Sequence, residues 1–211
     1  MGATLVPAVV ALAAGGIQVW AAPTFARGRI LPLGIGLGAA AAGVLAIASL
    51  ARAAIEPVWP SYDGAETMVP AAALPLATIA SIVTRSAALA VILAAADRLS
   101  EGWTRHRWRT ALFLMIGGAL AGAGTPGPDL GRWLAGGAVV GIFLLAAYAL
   151  VLRWDLAPLP IAVVTMSVLA ALADGFADPY PAAAAGGLAA AVLGGGCAWR
   201  TWRWTAVRPE R

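Results

Sequence analysis

The sequence predicts an all-α, polytopic transmembrane helix bundle, and three observations carry that prediction. The first is composition: of 211 residues, 61% are apolar and 11% charged, there are 25 glycines, and every basic residue other than His106 is an arginine. Soluble domains are about a quarter charged. The second is the stretch from Ala71 to Ala96, whose only ionisable residue is Arg85 and which is long enough to cross about 30 Å of hydrocarbon as a helix. The third is the short segment directly after that stretch, from Asp97 to Arg109, which holds Arg98, Trp103, Arg105, Arg107 and Trp108. Loops of this kind stay cytoplasmic and anchor at the headgroups.

Seven apolar runs make up a single integral membrane domain, at about 4–22, 31–51, 71–96, 110–124, 133–152, 159–174 and 182–199. The run at 4–22 has no positive segment before it and is followed by Arg27 and Arg29, so it reads as an uncleaved span and not as a signal peptide. The runs at 31–51, 71–96 and 133–152 are long and uninterrupted. The run at 110–124 is short and glycine-rich and stops at Gly124-Thr125-Pro126-Gly127-Pro128-Asp129, and the run at 159–174 is interrupted near Asp174. Were those two a re-entrant pair, five full crossings would remain. The last run is followed by a basic tail, 200–211. With the N-terminus outside and the C-terminus inside, eleven arginines are cytoplasmic, Arg52 and Arg132 are external, and Arg85 lies within a span; the reverse orientation violates the positive-inside rule.

Tryptophan supplies an independent check, because indole prefers the boundary between hydrocarbon and water. Trp20, Trp59, Trp103, Trp108, Trp133, Trp154, Trp199, Trp202 and Trp204 all fall at or beyond the ends of the expected spans and are expected to be interface anchors. Within the spans, small residues predominate. Gly34, Gly36, Gly38 and Gly43, Gly117-Gly118 with Ala121-Gly122, Gly136-Gly137 with Gly141, and Gly186-Gly187 with Gly194-Gly195-Gly196 are surfaces on which helix backbones approach closely in lipid. The Gly34/Gly36/Gly38 run precedes no strand-turn-helix pattern, and a chain without lysine holds no phosphate-binding P-loop.

Few residues carry chemistry. One cysteine, Cys197, excludes an internal disulfide, and one histidine, His106, leaves no zinc or haem ligand set; no metal or cofactor is expected. A serine nucleophile lacks a Lys or His base within reach of the spans. The basic balance needs no nucleic-acid partner, since the arginines sit in loops between apolar runs. The segment 52–69 carries Glu56, Trp59, Tyr62, Asp63 and Glu66; it reads as a boundary loop, with binding of a sugar, a cation or a protein as the functional alternative. The candidate intramembrane polar site is Thr78, Ser81 and Arg85, at i, i+3 and i+7 on one helical face. A guanidinium at mid-span costs at least about 2.5 kcal/mol, so it is expected to face the bundle, a cavity or a carboxylate. Asp174 and Asp178 are the internal candidates for that carboxylate, although Gly175 and Pro179 suggest that both are loop acids at the external rim.

Three blocks, Trp59-Pro60-Ser61-Tyr62-Asp63, the run from Ala96 to Arg107, and the run from Leu150 to Pro160, resemble the non-catalytic membrane extension of long bacterial CPBP (CAAX-protease-like) proteins over about residues 55–205. That family's Glu-Glu-x-x-x-Arg helix and histidine-bearing helices are absent here, so no catalytic residue carries over. The resemblance implies a membrane module that accompanies an intramembrane protease domain. The leading expectation is a non-enzymatic subunit of the bacterial cytoplasmic membrane that packs in the lipid bilayer against another membrane protein or a second copy. A small transporter or channel using Arg85, and an intramembrane enzyme related to CAAX-type proteases, are the alternatives.

Overall fold

The computed structural model describes residues 30–52, 70–101, 103–122, 130–177 and 181–207. Among them are six helices and no strand: α1 (Ile30–Arg52), α2 (Pro70–Ser100), α3 (Arg107–Gly122), α4 (Leu130–Ala147, continued by a π turn over Tyr148–Leu152), α5 (Pro158–Ala177) and α6 (Pro181–Val207). Three of them, α2, α5 and α6, open on a proline, which lacks the N–H that a first helical turn leaves unpaired and has its φ already set for a helix. Asp155 Oδ1 accepts the Ala157 N–H at 2.8 Å and so turns the chain from α4 into α5.

Among the described residues, five helical stretches are long and apolar enough to cross a membrane: Ile30–Ser49, Pro75–Ser100, Trp133–Leu152, Pro158–Phe176 and Pro181–Arg203. This is the architecture of an integral membrane helix bundle. The expected run at 110–124 is a helix of 16 residues, about 24 Å long and shorter than the hydrocarbon core. The run at 4–22 lies outside the described residues.

Helix α5 departs from expectation by running unbroken through Asp174 and Gly175 to Ala177, so Asp174 belongs to the last turn of a helix and not to a loop. The reason lies in packing. A side chain at Gly175 would meet the Ala183 carbonyl oxygen at 2.7 Å, so the bare backbone lets α5 and α6 close against each other. Asp178 and Pro179 are outside the described residues. Helix α6 also exceeds its expected end at 199 and runs to Val207, taking Trp199, Trp202 and Trp204 into its final turns.

Successive helices alternate in direction, α5 packs against α6 and α1, α3 against α4, and α2 against α6, α3 and α5. A core of Leu37, Leu93, Leu114, Leu144, Tyr148 and Leu159 draws on α1 to α5 and the π turn. Glycine contacts set the seams. A Cβ at Gly38 would run into the Ala162 carbonyl oxygen and one at Gly34 into Ile161, which joins α1 to α5. One at Gly118 would meet the Gly141 backbone at 2.8 Å, which joins α3 to α4. Gly194 faces Val168, whereas Gly195 and Gly196 face open space; of that glycine triplet only the first is a packing surface, because the other two sit on the far side of the helix.

The chain therefore has two unlike ends. Arg98, Arg105, Arg107, Arg109, Arg153, Arg200 and Arg203 gather at the end that holds the α2–α3 and α4–α5 loops, whereas Arg52 and Arg132 stand at the other.

Candidate functional site

Helix α2 is the least enclosed of the spans. Only 11% of its apolar stretch is buried, against 28% to 50% in the other four. Two of its faces bear on function. On the first, Leu76, Ala80, Val83, Ala87, Ala90 and Ala94 are all exposed. Their spacing alternates four and three, the spacing of a helix–helix seam, and alanines between larger residues let a second backbone come close.

The second is the flank that carries Thr78, Ser81 and Arg85. The structure places them on one side of α2 but at different depths: Thr78 is buried, Ser81 half-buried and Arg85 exposed. Arg85 is thus exposed, whereas further along α2 Leu93, Ala96 and Ser100 are buried against the other helices. Among the described residues no ion pair reaches Arg85; the ion pair described is Arg105–Glu101 at 3.6 Å, an exposed contact that contributes little. Asp174, also exposed, has an interaction of its own, and the Thr84 hydroxyl donates back to the Ala80 carbonyl at 2.8 Å.

The contact of α3 with α2 lies nearer the arginine-rich end than Arg85 does. A Cβ at Gly117 would touch Ile92 at 3.2 Å, which fixes the level at which α3 lies against α2. Arg85 is two turns from Ile92 on nearly the same face, about 10.5 Å towards the start of α2, whereas α3 continues for only about 7.5 Å beyond Gly117 before ending at Gly122.

A second polar cluster stands at the arginine-rich end, and sequence reasoning did not find it. The π turn carries the backbone N–H of Arg153 to the Tyr148 carbonyl at 3.0 Å and buries the Tyr148 ring. The phenol lies 3.5 Å from Asp97 Oδ1, with Ser100 a further hydrogen-bonding neighbour. Trp103 meets the Tyr148 ring edge-on at 5.5 Å. The buried Ser100 hydroxyl donates to Ala96 O at 2.8 Å and accepts the Trp103 N–H at 3.0 Å. It thereby closes the end of α2 and starts a loop in which Glu101, Trp103 and His106 all have positive φ, a conformation that costs each non-glycine residue energy and needs such support. The one sequence signal was Tyr148 itself, since a phenol in an oily run needs a partner.

The anchors divide accordingly. Trp103 is half-buried against Tyr148, Trp108 and Trp154 are exposed beside Arg109 and Arg153 at 5.3 and 4.5 Å, Trp133 is half-buried at the start of α4, and the rings of Trp199 and Trp202 meet at 4.8 Å with a tilt of 41°. Trp20 and Trp59 lie outside the described residues, as does the Trp204 side chain. Ser167, buried in α5, has no hydrogen-bond partner for its hydroxyl among the described residues. No protein-family model matches this chain, and no curated protein or solved structure matches it either.

Proposed function

We propose that this chain is a non-enzymatic integral membrane subunit that packs laterally against another membrane protein through helix α2, with its arginine-rich end in the cytoplasm of a bacterial cell. The observation that carries the reading is the exposed seam Leu76, Ala80, Val83, Ala87, Ala90 and Ala94. Burying apolar side chains gives no net gain when the surrounding medium is itself hydrocarbon, so helices associate in lipid where close approach yields van der Waals contact. An alanine-lined seam suits that approach better than a surface of leucine and phenylalanine would. The charge asymmetry between the two ends supports the orientation through the positive-inside rule. The resemblance to the CPBP membrane extension agrees with an accessory role and names an intramembrane protease domain as one class of partner.

The transport reading receives less support, since it requires Arg85 to line a path through the bundle and the side chain instead stands on an outer flank. A photo-crosslinking residue placed at Ala80 or Ala87 in native membranes tests the leading reading. A protein adduct of discrete mass is expected from both sites and none from the buried Ala96; adducts to lipid alone would overturn it.

A further inference from the structure

We infer that Arg107 and Arg153 hold the phosphate of an anionic phospholipid at the arginine-rich end of the α3–α4 pair. This surface is separate from the α2 seam, and the inference rests on the bundle spanning a membrane and not on what covers that seam.

Level is the first consideration. A Cβ at Gly118 would meet the Gly141 backbone at 2.8 Å, so α3 and α4 touch there. From that contact Arg107 is eleven residues back along α3, and Arg153 is twelve residues on along α4 and its π turn. Those steps carry the two arginines about 16 and 18 Å in the same direction, so both leave the pair at one level. The pair stays closed towards this end, because the Trp103 ring meets the Tyr148 ring at 5.5 Å. That level is the headgroup region: the apolar stretch Trp133–Leu152 ends on the residue before Arg153, and the residue that follows a span lies beside the lipid phosphates.

The two exposed guanidiniums are also tied to the same pair of rings. Arg107 Nε donates to the Trp103 carbonyl at 2.9 Å, and the charge of Arg153 acts on the Tyr148 phenol. The bond to Trp103 takes one of five guanidinium N–H groups and fixes the plane in which the others point. Arg153 lies over the Trp154 ring at 4.5 Å. Stacking engages the face of a guanidinium while its N–H groups lie in the plane, so this contact orients Arg153 without consuming a donor.

Charge identifies the occupant. Among the described residues, the seven arginines of this end stand against three acids, Asp97, Glu101 and Asp155. Each acid is engaged within the chain: Asp97 faces the Tyr148 phenol, Glu101 pairs with Arg105, and Asp155 accepts the Ala157 N–H. A net positive surface with planar, forked donors fits phosphate oxygens. The tryptophans point to a lipid as the source of that phosphate. Trp108 and Trp154 are exposed, and indole seats itself among headgroups, so a lipid covers the rings and meets the arginines together, whereas a soluble phosphate engages the arginines alone. A choline headgroup brings its own cation towards the arginines, and a glycerol headgroup does not, which favours the anionic lipid.

The test titrates the full-length protein, delipidated in detergent, with phosphatidylglycerol and phosphatidylcholine and reads the first bound lipid by native mass spectrometry. The wild-type chain is expected to take phosphatidylglycerol about tenfold more tightly. Arg107→Gln/Arg153→Gln is expected to lose most of that preference, and Arg200→Gln/Arg203→Gln, which removes the same charge from the end of α6, to keep it. Equal binding of the two lipids by the wild-type chain overturns the inference without requiring any variant to fold. Equal losses in the two double variants overturn it in favour of diffuse charge, and displacement of phosphatidylglycerol by millimolar inorganic phosphate overturns it in favour of a soluble anion. Crosslinks from Ala80 and Ala87 report on the α2 seam independently, so the two readings fail separately.

Discussion

At the scale of single residues, position within the membrane decides what a polar group costs. Arg85 has no ion pair among the described residues, so replacing it removes a charge and breaks no described ion pair. Arg85→Leu is expected to favour insertion of the 71–96 segment by about 3 kcal/mol in a translocon insertion assay, the difference between the two residues at a helix centre. An unchanged value would place the guanidinium outside the hydrocarbon. Tyr148 is the opposite case, a polar group enclosed by its own chain. Its hydroxyl contact with Asp97 is long at 3.5 Å, so Tyr148→Phe should cost less than about 1 kcal/mol, whereas Tyr148→Ala, which empties a fully buried site beside Trp103 and Leu144, should cost about 3–5 kcal/mol. Unfolding in mixed micelles separates the two; equal losses would make the hydrogen bond and not the ring the source of stability. Arg85 could be singled out from the sequence because a lone charge in an oily run is conspicuous. The partners of Tyr148 could not, because they are 45 to 51 residues away and meet it only through a π turn.

At the scale of helices, glycine distribution and glycine function separate. Both Gly38 and Gly195 sit in apolar helices among other small residues, yet a Cβ at Gly38 collides with Ala162 and Thr165 across the α1–α5 seam, whereas at Gly195 nothing lies within 4 Å. Gly38→Val is therefore expected to destabilise the bundle by about 1–3 kcal/mol or to prevent its assembly, and Gly195→Ala to be neutral or to stabilise by up to about 1 kcal/mol through helix propensity. Thermal unfolding of purified protein distinguishes them, and similar behaviour of the two variants would contradict the assigned seams. The same logic accounts for the end of α5. Gly175 and the nearby proline look like a helix stop when the chain is read alone, but contact with Ala183 and Gly187 makes the glycine part of a closely packed hairpin.

At the scale of the molecule, two features govern function: which end faces the cytoplasm and which helix is left uncovered. A cysteine at Glu101, in a chain with Cys197→Ala, is expected to react with an impermeant maleimide only after the cytoplasmic face is opened; labelling of intact cells would reverse the assigned orientation. Much of this architecture was legible in the residues alone. Apolar runs of about twenty residues separated by arginine-rich turns leave a helix as the only spanning solution, because backbone groups in lipid must bond within their own segment, and the helices over 31–51, 71–96 and 133–152 follow from that constraint alone. The polar face of Thr78, Ser81 and Arg85 was equally legible from spacing. The direction of that face was not, because nothing local distinguishes inward from outward when lipid and protein interior are alike. Helical spans and a two-ended distribution of charge were thus determined by the sequence, through hydrogen bonding and insertion energetics. The exposure of Arg85, the exposed alanine seam and the Tyr148 cluster were decided by tertiary structure, because each depends on how the other helices pack against α2.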